Sequence, residues 1–248
     1  MAGIVSLIVL SYNQHPRMGK CLLSLSQQMG VAVEVVVVDD GSTDASLDML
    51  HTWGGTLVES AHTGSAAKLY NLGVKASQGS IIVLLHGDFI LSPDFCLRAA
   101  QAHMSYPGKT VIVGVWRPLR HAPSMAETSQ ALSWLGASPR AAPSWGETRT
   151  LSHGCIPEPK WMAAAHPLVA IKRGHWIERD EAMPFVYTDW EWAYRLFLDG
   201  FDFYWCPLMQ GFHQPHSRLP DGADPRVTQE TAVFTAKFGI APLELWTG

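Results

Sequence analysis

No block of like charge interrupts the 248 residues, and the formal net charge is only −4. So small an imbalance gives no electrostatic reason to expect nucleic acid as a partner, and it excludes a charged tail. Apolar residues make up 47% of the chain, yet no apolar run approaches the ~20 residues of a membrane span. The first apolar segment has no basic residues before it, so it reads as a strand rather than a signal peptide. Peripheral membrane contact stays open. Cysteine is scarce: Cys21, Cys96, Cys155 and Cys206 are widely spaced and form no C-x-x-C pair. That excludes a zinc ribbon or a disulfide scaffold and predicts a reduced, cytoplasmic protein. Internal repeats are also missing. What remains can bury a sizeable core as one large domain or two joined halves.

Four continuous apolar runs stand out: Ile4 to Leu10, Val31 to Val38, Ile81 to Leu85 and Val111 to Val115. Continuous rather than alternating runs predict strands covered on both faces. Between them, Arg17 to Met29, Ala45 to Thr52 and Ser65 to Ala76 carry helical patterns, with Ser42-Thr43-Asp44 as a start signal for the second. Strand alternating with helix predicts a doubly wound α/β fold with ligands at the carboxyl ends of the strands. Those ends carry Ser11-Tyr12-Asn13, Asp39-Asp40 and His86-Gly87-Asp88. Three polar clusters are therefore expected at one edge. The second half is less regular. Arg117 to Lys160 shows no clear period and reads as a long loop, expected to be functional or mobile. Pro167 to Lys172 reads as a strand, Trp190 to Leu198 as a helix stopped at Gly200, Phe201 to Trp205 as a short strand, and Pro225 to Phe238 as a helix.

The ordered set IVSLIVLSYNQ, VEVVVVDDGSTD, SAAKLYNLGVKASQGSIIVLLHGDFILSPDF, PLVAIKRGHW, YTDWEWAYRLFLDGFDFYWCP and GFHQPHS spans roughly residues 3 to 217. It resembles an inverting glycosyltransferase of the GT-A fold, in the large family-two group. The resemblance implies a Rossmann-like, mostly parallel sheet with helices on both faces, and a single domain over 1–248. It divides that domain into a nucleotide-sugar half (1–115), an acceptor and catalytic half (116–219) and a tail (220–248).

The resemblance also implies roles. Asp40 would read the nucleotide base, with Ser11, Tyr12 and Asn13 in the same pocket; taken alone, Asp-Gly-Ser-Thr is ordinary turn chemistry. Lys68 and Asn71, three apart on one helix face, would lie near the diphosphate and nucleoside; a solvated lysine is the plainer alternative. His86-Gly87-Asp88 stands where the family has Asp-x-Asp, the site of a divalent ion, Mn²⁺ or Mg²⁺. Asp88 matches the last aspartate, while His86 replaces the first and would touch ribose or the ion. His213, with His216 second, stands where family members often have a metal-binding histidine. Imidazole ligands favour Mn²⁺ over Mg²⁺. Asp189 matches the general base, with Glu191 as fallback, and Arg195 would pair with Glu191 one turn away. Trp190 is the leading acceptor contact among ten tryptophans; Trp116, Trp134, Trp145 and Trp161 fall in or beside the irregular middle, read as a lid or acceptor wall.

The implied activity moves a sugar from a nucleotide-sugar donor, a UDP-sugar by preference, to an acceptor hydroxyl. A nucleotidyltransferase would need a Gly-rich phosphate loop after the first strand, where this chain has Ser-Tyr-Asn-Gln. His86, and Thr188 where the family has a glutamate before the base, keep a non-catalytic nucleotide-sugar-binding protein as an alternative; retention of Asp88, Asp189 and His213 argues against it.

Overall fold

The computed structural model describes residues 3–137, 160–185, 187–216 and 225–247. β1 (Val5–Ser11) is buried along its whole length. Its side chains alternate between two cores. Val5, Leu7 and Val9 pack with Met18, Cys21 and Leu25, whereas Ile8 and Leu10 pack with Leu69, Tyr70 and Val74. This is why the run is continuous rather than alternating: α1 (Arg17–Ser26) covers one face and α3 (Ala66–Ala76) the other. β2 (Val33–Asp39) and β4 (Ile81–His86) flank β1 in parallel, and an edge strand β3 (Thr56–Glu59) follows α2 (Ser46–Trp53). The start signal before α2 works through Asp44, whose Oδ1 accepts from Ser46 N (2.9 Å).

Beyond β4 the layout departs from a simple doubly wound sheet. A short strand β5 (Phe89–Leu91) leads into α4 (Phe95–Ser105) and β6 (Thr110–Pro118). β7 (Val169–Lys172) then inserts between β4 and β6, antiparallel to both. α6 (Thr188–Leu198) precedes β8 (Asp202–His213), which pairs in parallel with β6 and antiparallel with β5. The eight-stranded order is β3-β2-β1-β4-β7-β6-β8-β5. It remains mostly parallel, as expected for an α/β fold of this class. The strand expected over Phe201 to Trp205 is the first part of the longer β8.

The segment expected to be loop from Arg117 to Lys160 contains α5 (Met125–Ala137). Its start is a capping box: Ser124 N donates to Glu127 Oε2 (2.7 Å) and Glu127 N donates back to Ser124 Oγ (3.2 Å). The rest of the expected lid, residues 138–159 with Trp145, lies outside the described residues. No described helix is long and apolar enough to cross a membrane.

The carboxyl-terminal helix α7 (Pro225–Phe238), followed by α8 (Pro242–Thr247), reaches back onto the segment before α6. Buried Glu230 accepts from Phe185 N (2.8 Å) and Tyr187 N (2.7 Å). Lys237 bridges Asp180 and Glu191, the latter at 2.7 Å. Burial works against the Lys237 ammonium, but these two carboxylates outweigh it and raise its pKa.

Candidate active site

Strand register brings the polar clusters together. Ser11 is level with Asp39, and Leu10 with His86. Gly87 N then donates to Leu10 O (2.9 Å), tucking the turn after β4 against β1. A Cβ at Gly87 would sit 2.3 Å from Met18 Cε and 3.2 Å from Leu10 O, so a larger residue here would have to displace the end of the Met18 side chain. On the far side Phe89 is level with His213 across the β5–β8 ladder, and Gln214 N donates to Asp88 O (2.9 Å).

That pairing gathers Asp88, His213 and His216, whose ligand-type atoms lie within 4.8 Å of one another. Asp88 Oδ2 is 3.4 Å from His213 Nε2 and 3.2 Å from His216 Nε2. Asp88 Oδ1 is buried with no hydrogen-bond partner among the described residues. Burial alone would raise the Asp88 pKa; the two histidine hydrogen bonds and the nearby His86 outweigh it and hold the carboxyl well below its usual range. One carboxylate, with one of its buried oxygens unpartnered, and two imidazoles form a donor set that fits a divalent cation such as Mn²⁺. The His213 ring is fixed by edge contacts to Phe89 (4.9 Å) and Trp116 (5.5 Å). His86 does not join this cluster. The turn at Gly87 and Asp88 breaks the strand's alternation, and the half-buried His86 ring lies parallel to Tyr70 at 6.1 Å.

Tyr70 lies between His86, 6.1 Å away, and the Arg179 guanidinium, 4.5 Å over its ring. It is 1% exposed, and its hydroxyl has no partner among the described residues. Burial, reinforced by Asp189 and Asp88 and partly offset by Arg179, raises its pKa well above the ordinary value. Asp189 stands in the first turn of α6 with its side chain 20% exposed. Its Oδ1 accepts from Arg179 Nη1 at 2.5 Å. Glu191, two residues on, is 0% exposed and is held by Arg195 and Lys237. The expected Arg195 pair is present, and the fallback base role does not fit so enclosed a carboxylate. Thr188 Oγ1 is buried without a partner. Trp190 is half-buried, edge-on to buried Trp161 (6.2 Å) and to Tyr187 (5.7 Å).

Just past the carboxyl end of β2, buried Asp40 is not open to a base. Its Oδ1 accepts from Thr63 N (2.8 Å) and Thr63 Oγ1 (2.9 Å), and its Oδ2 accepts from Gly64 N (2.8 Å) and faces His62 Nδ1 (2.9 Å). The carboxylate is occupied in holding the 62–64 turn. His62 stacks on Tyr12 at 4.2 Å, and Tyr12 is still 43% exposed. Asn13, at φ 49°, accepts from Thr43 N (2.8 Å) and so fixes the loop before α2. Ser11 Oγ is buried without a partner. Asn71 exchanges hydrogen bonds with the Arg179 main chain (2.8 and 3.0 Å), while Lys68 sits half-buried in the first turn of α3. Arg179 and His62 were not singled out in the sequence, because a polar loop residue looks the same whether it is solvated or buried.

Comparisons with known proteins agree with the fold. S. aureus TarS 1–349 solved in complex with UDP-GlcNAc is similar with a TM-score of 0.63 at 15% identity, covering 96% of this chain and 74% of that one. The same protein in complex with UDP gives 0.61 at 17%, covering 95% and 72%. These likenesses show the GT-A fold. The uncharacterized glycosyltransferase EpsJ of Bacillus subtilis is 30% identical over 105 residues, 41% of this chain and 30% of that protein. Glycosyltransferase GlyG of Streptococcus pneumoniae is 27% identical over 96 residues, 37% of this chain and 32% of that protein. The matches thus span about a third of the length of these curated relatives. The model of glycosyl transferase family 2 matches residues 6–133, just over half of the chain, and the chain belongs to that family.

Proposed function

We propose that this protein transfers a sugar from a UDP-sugar donor to an acceptor hydroxyl with inversion at the anomeric carbon. The observation that carries the reading is a metal-type cluster (Asp88, His213, His216) and a separate carboxylate, Asp189, linked through Tyr70, whose ring lies 6.1 Å from that of His86 and 4.5 Å from the Arg179 guanidinium that holds Asp189. The TarS complexes with UDP and UDP-GlcNAc support the choice of donor class.

In this reading Asp88, His213 and His216 hold the divalent cation, which would supply stabilisation for charge on the leaving diphosphate. The nucleotide base lies on the exposed face of Tyr12, whose other face is backed by His62. Asp40 supports that pocket through the 62–64 turn rather than by touching the base. The acceptor hydroxyl sits at Asp189. Its oxygen forms the new bond to the anomeric carbon as the bond to the diphosphate breaks, and its proton passes to the Asp189 carboxylate. Trp190 offers an indole edge beside that point for the acceptor.

The test is turnover of a panel of UDP-sugars with Mn²⁺ and simple acceptors, reading UDP release and, by NMR, the configuration of the product. Inversion of an α-linked donor to a β-linked product is expected. A product of retained configuration would overturn the mechanism. Tight UDP binding with neither transfer nor donor hydrolysis would point to the non-catalytic binding protein instead.

A further inference from the structure

Arg179 is a cation in an unusual place. It is 3% exposed, although it belongs to the polar stretch Glu178-Arg179-Asp180-Glu181. Its guanidinium is stacked between the rings of Tyr70 (4.5 Å) and Trp192 (4.8 Å), a geometry that suits a desolvated cation. Its main chain is clamped from both sides: Arg179 N donates to Asn71 Oδ1 (2.8 Å), and Arg179 O accepts from Asn71 Nδ2 (3.0 Å). Trp192 is in turn fixed by its Nε1–H to Ile177 O (2.9 Å). The side chain is therefore held by its own surroundings, and Asp189 Oδ1 is what its Nη1 meets at 2.5 Å.

We propose that Arg179 is a positioning residue. It grips Asp189 through one carboxylate oxygen and so presents the other, Oδ2, to the acceptor hydroxyl. The exposures fit this division: the Arg179 side chain is 1% exposed and that of Asp189 20%, so a ligand reaches the carboxylate but not the guanidinium. A planar fork wedged between two rings fixes direction as well as charge, which an ammonium on a flexible stem does poorly. The inference rests on the reading of Asp189 as the base.

The experiment is a double-mutant cycle with kinetics and donor binding. Arg179→Met is expected to lower kcat about 10²-fold, the loss typical of a misplaced catalytic group, with the donor KM unchanged. Arg179→Lys should recover part of the loss. The Arg179→Met/Asp189→Asn double variant should be no slower than Asp189→Asn alone, because the arginine acts through the carboxylate. Multiplying effects in the double variant, a raised donor KM, or a lysine variant no better than methionine would each overturn the proposal. If Arg179→Met does not fold, the cycle is run with Arg179→Lys, which keeps the buried charge compensated. The two readings fail differently. Full turnover in Asp189→Asn would remove the base assignment itself. An inactive Asp189→Asn beside a fully active Arg179→Met would remove only the role of Arg179.

Discussion

Asp189→Asn is expected to lower turnover by about 10³-fold while UDP binding changes by less than about twofold. The substitution is nearly isosteric, and the amide keeps an oxygen for Arg179, whose guanidinium now holds Oδ1 at 2.5 Å. What it removes is the capacity to take a proton as the acceptor oxygen attacks. Glu191 is two positions on but fully enclosed between Arg195 and Lys237. The donor-side groups, Tyr12 and Asp88, are carried by different strand ends and are untouched. Initial rates with saturating donor, paired with UDP titration, check both halves. Activity within tenfold of wild type would mean that the base lies elsewhere.

Glu191→Ala should have the second largest effect, and it should fall on stability rather than chemistry. Breaking a buried ion pair by removing one partner leaves uncompensated charge and costs about 3 kcal/mol or more. Here two cations lose their shared carboxylate, and one of them, Lys237, belongs to α7. The same helix supplies Glu230 to the main chain at Phe185 and Tyr187, just before Asp189. Loosening α7 therefore loosens the approach to the base. The expected result is a melting temperature lower by ~10 °C for a chain of this size, with turnover per folded molecule reduced far less than in Asp189→Asn. A variant of wild-type stability and no activity would restore Glu191 as a candidate base.

Much of the first half was legible in the sequence because its determinants are local. A β-branched run buried on both faces, followed by an amphipathic helix, can form few things other than a strand–helix unit, and the polar strand ends then fall at one edge. The second half was less legible for specific reasons. β7 runs antiparallel between two strands from the first half, a placement set by long-range pairing that no pattern in Val169–Lys172 encodes. β3, with two exposed and two half-buried residues, has too little apolar character to announce a strand. α5 did carry a signal, the Ser124–Glu127 capping box, hidden in a segment rich in proline and serine.

The candidate site divides in the same way. Asp88 and Asp189 stand out from local motifs and the family resemblance. The nearness of His216 to Asp88 does not, because it follows from the β5–β8 register and the chain's exit after His213. The saturated state of Asp40 was equally hidden, since it depends on a turn 22 to 24 residues away in the chain. Asn71 illustrates the limit from the other side. It was expected near the diphosphate and nucleoside, and its amide holds the Arg179 loop.

The central claim is that Asp88, with His213 and His216, makes a working metal–diphosphate site even though His86 stands where an aspartate is usual. Calorimetric titration of UDP, with GDP for comparison, in the presence and absence of Mn²⁺, on wild type and Asp88→Ala, tests it most directly. The account predicts UDP binding that depends on Mn²⁺ and is lost in Asp88→Ala. Binding indifferent to both the metal and Asp88 would contradict it.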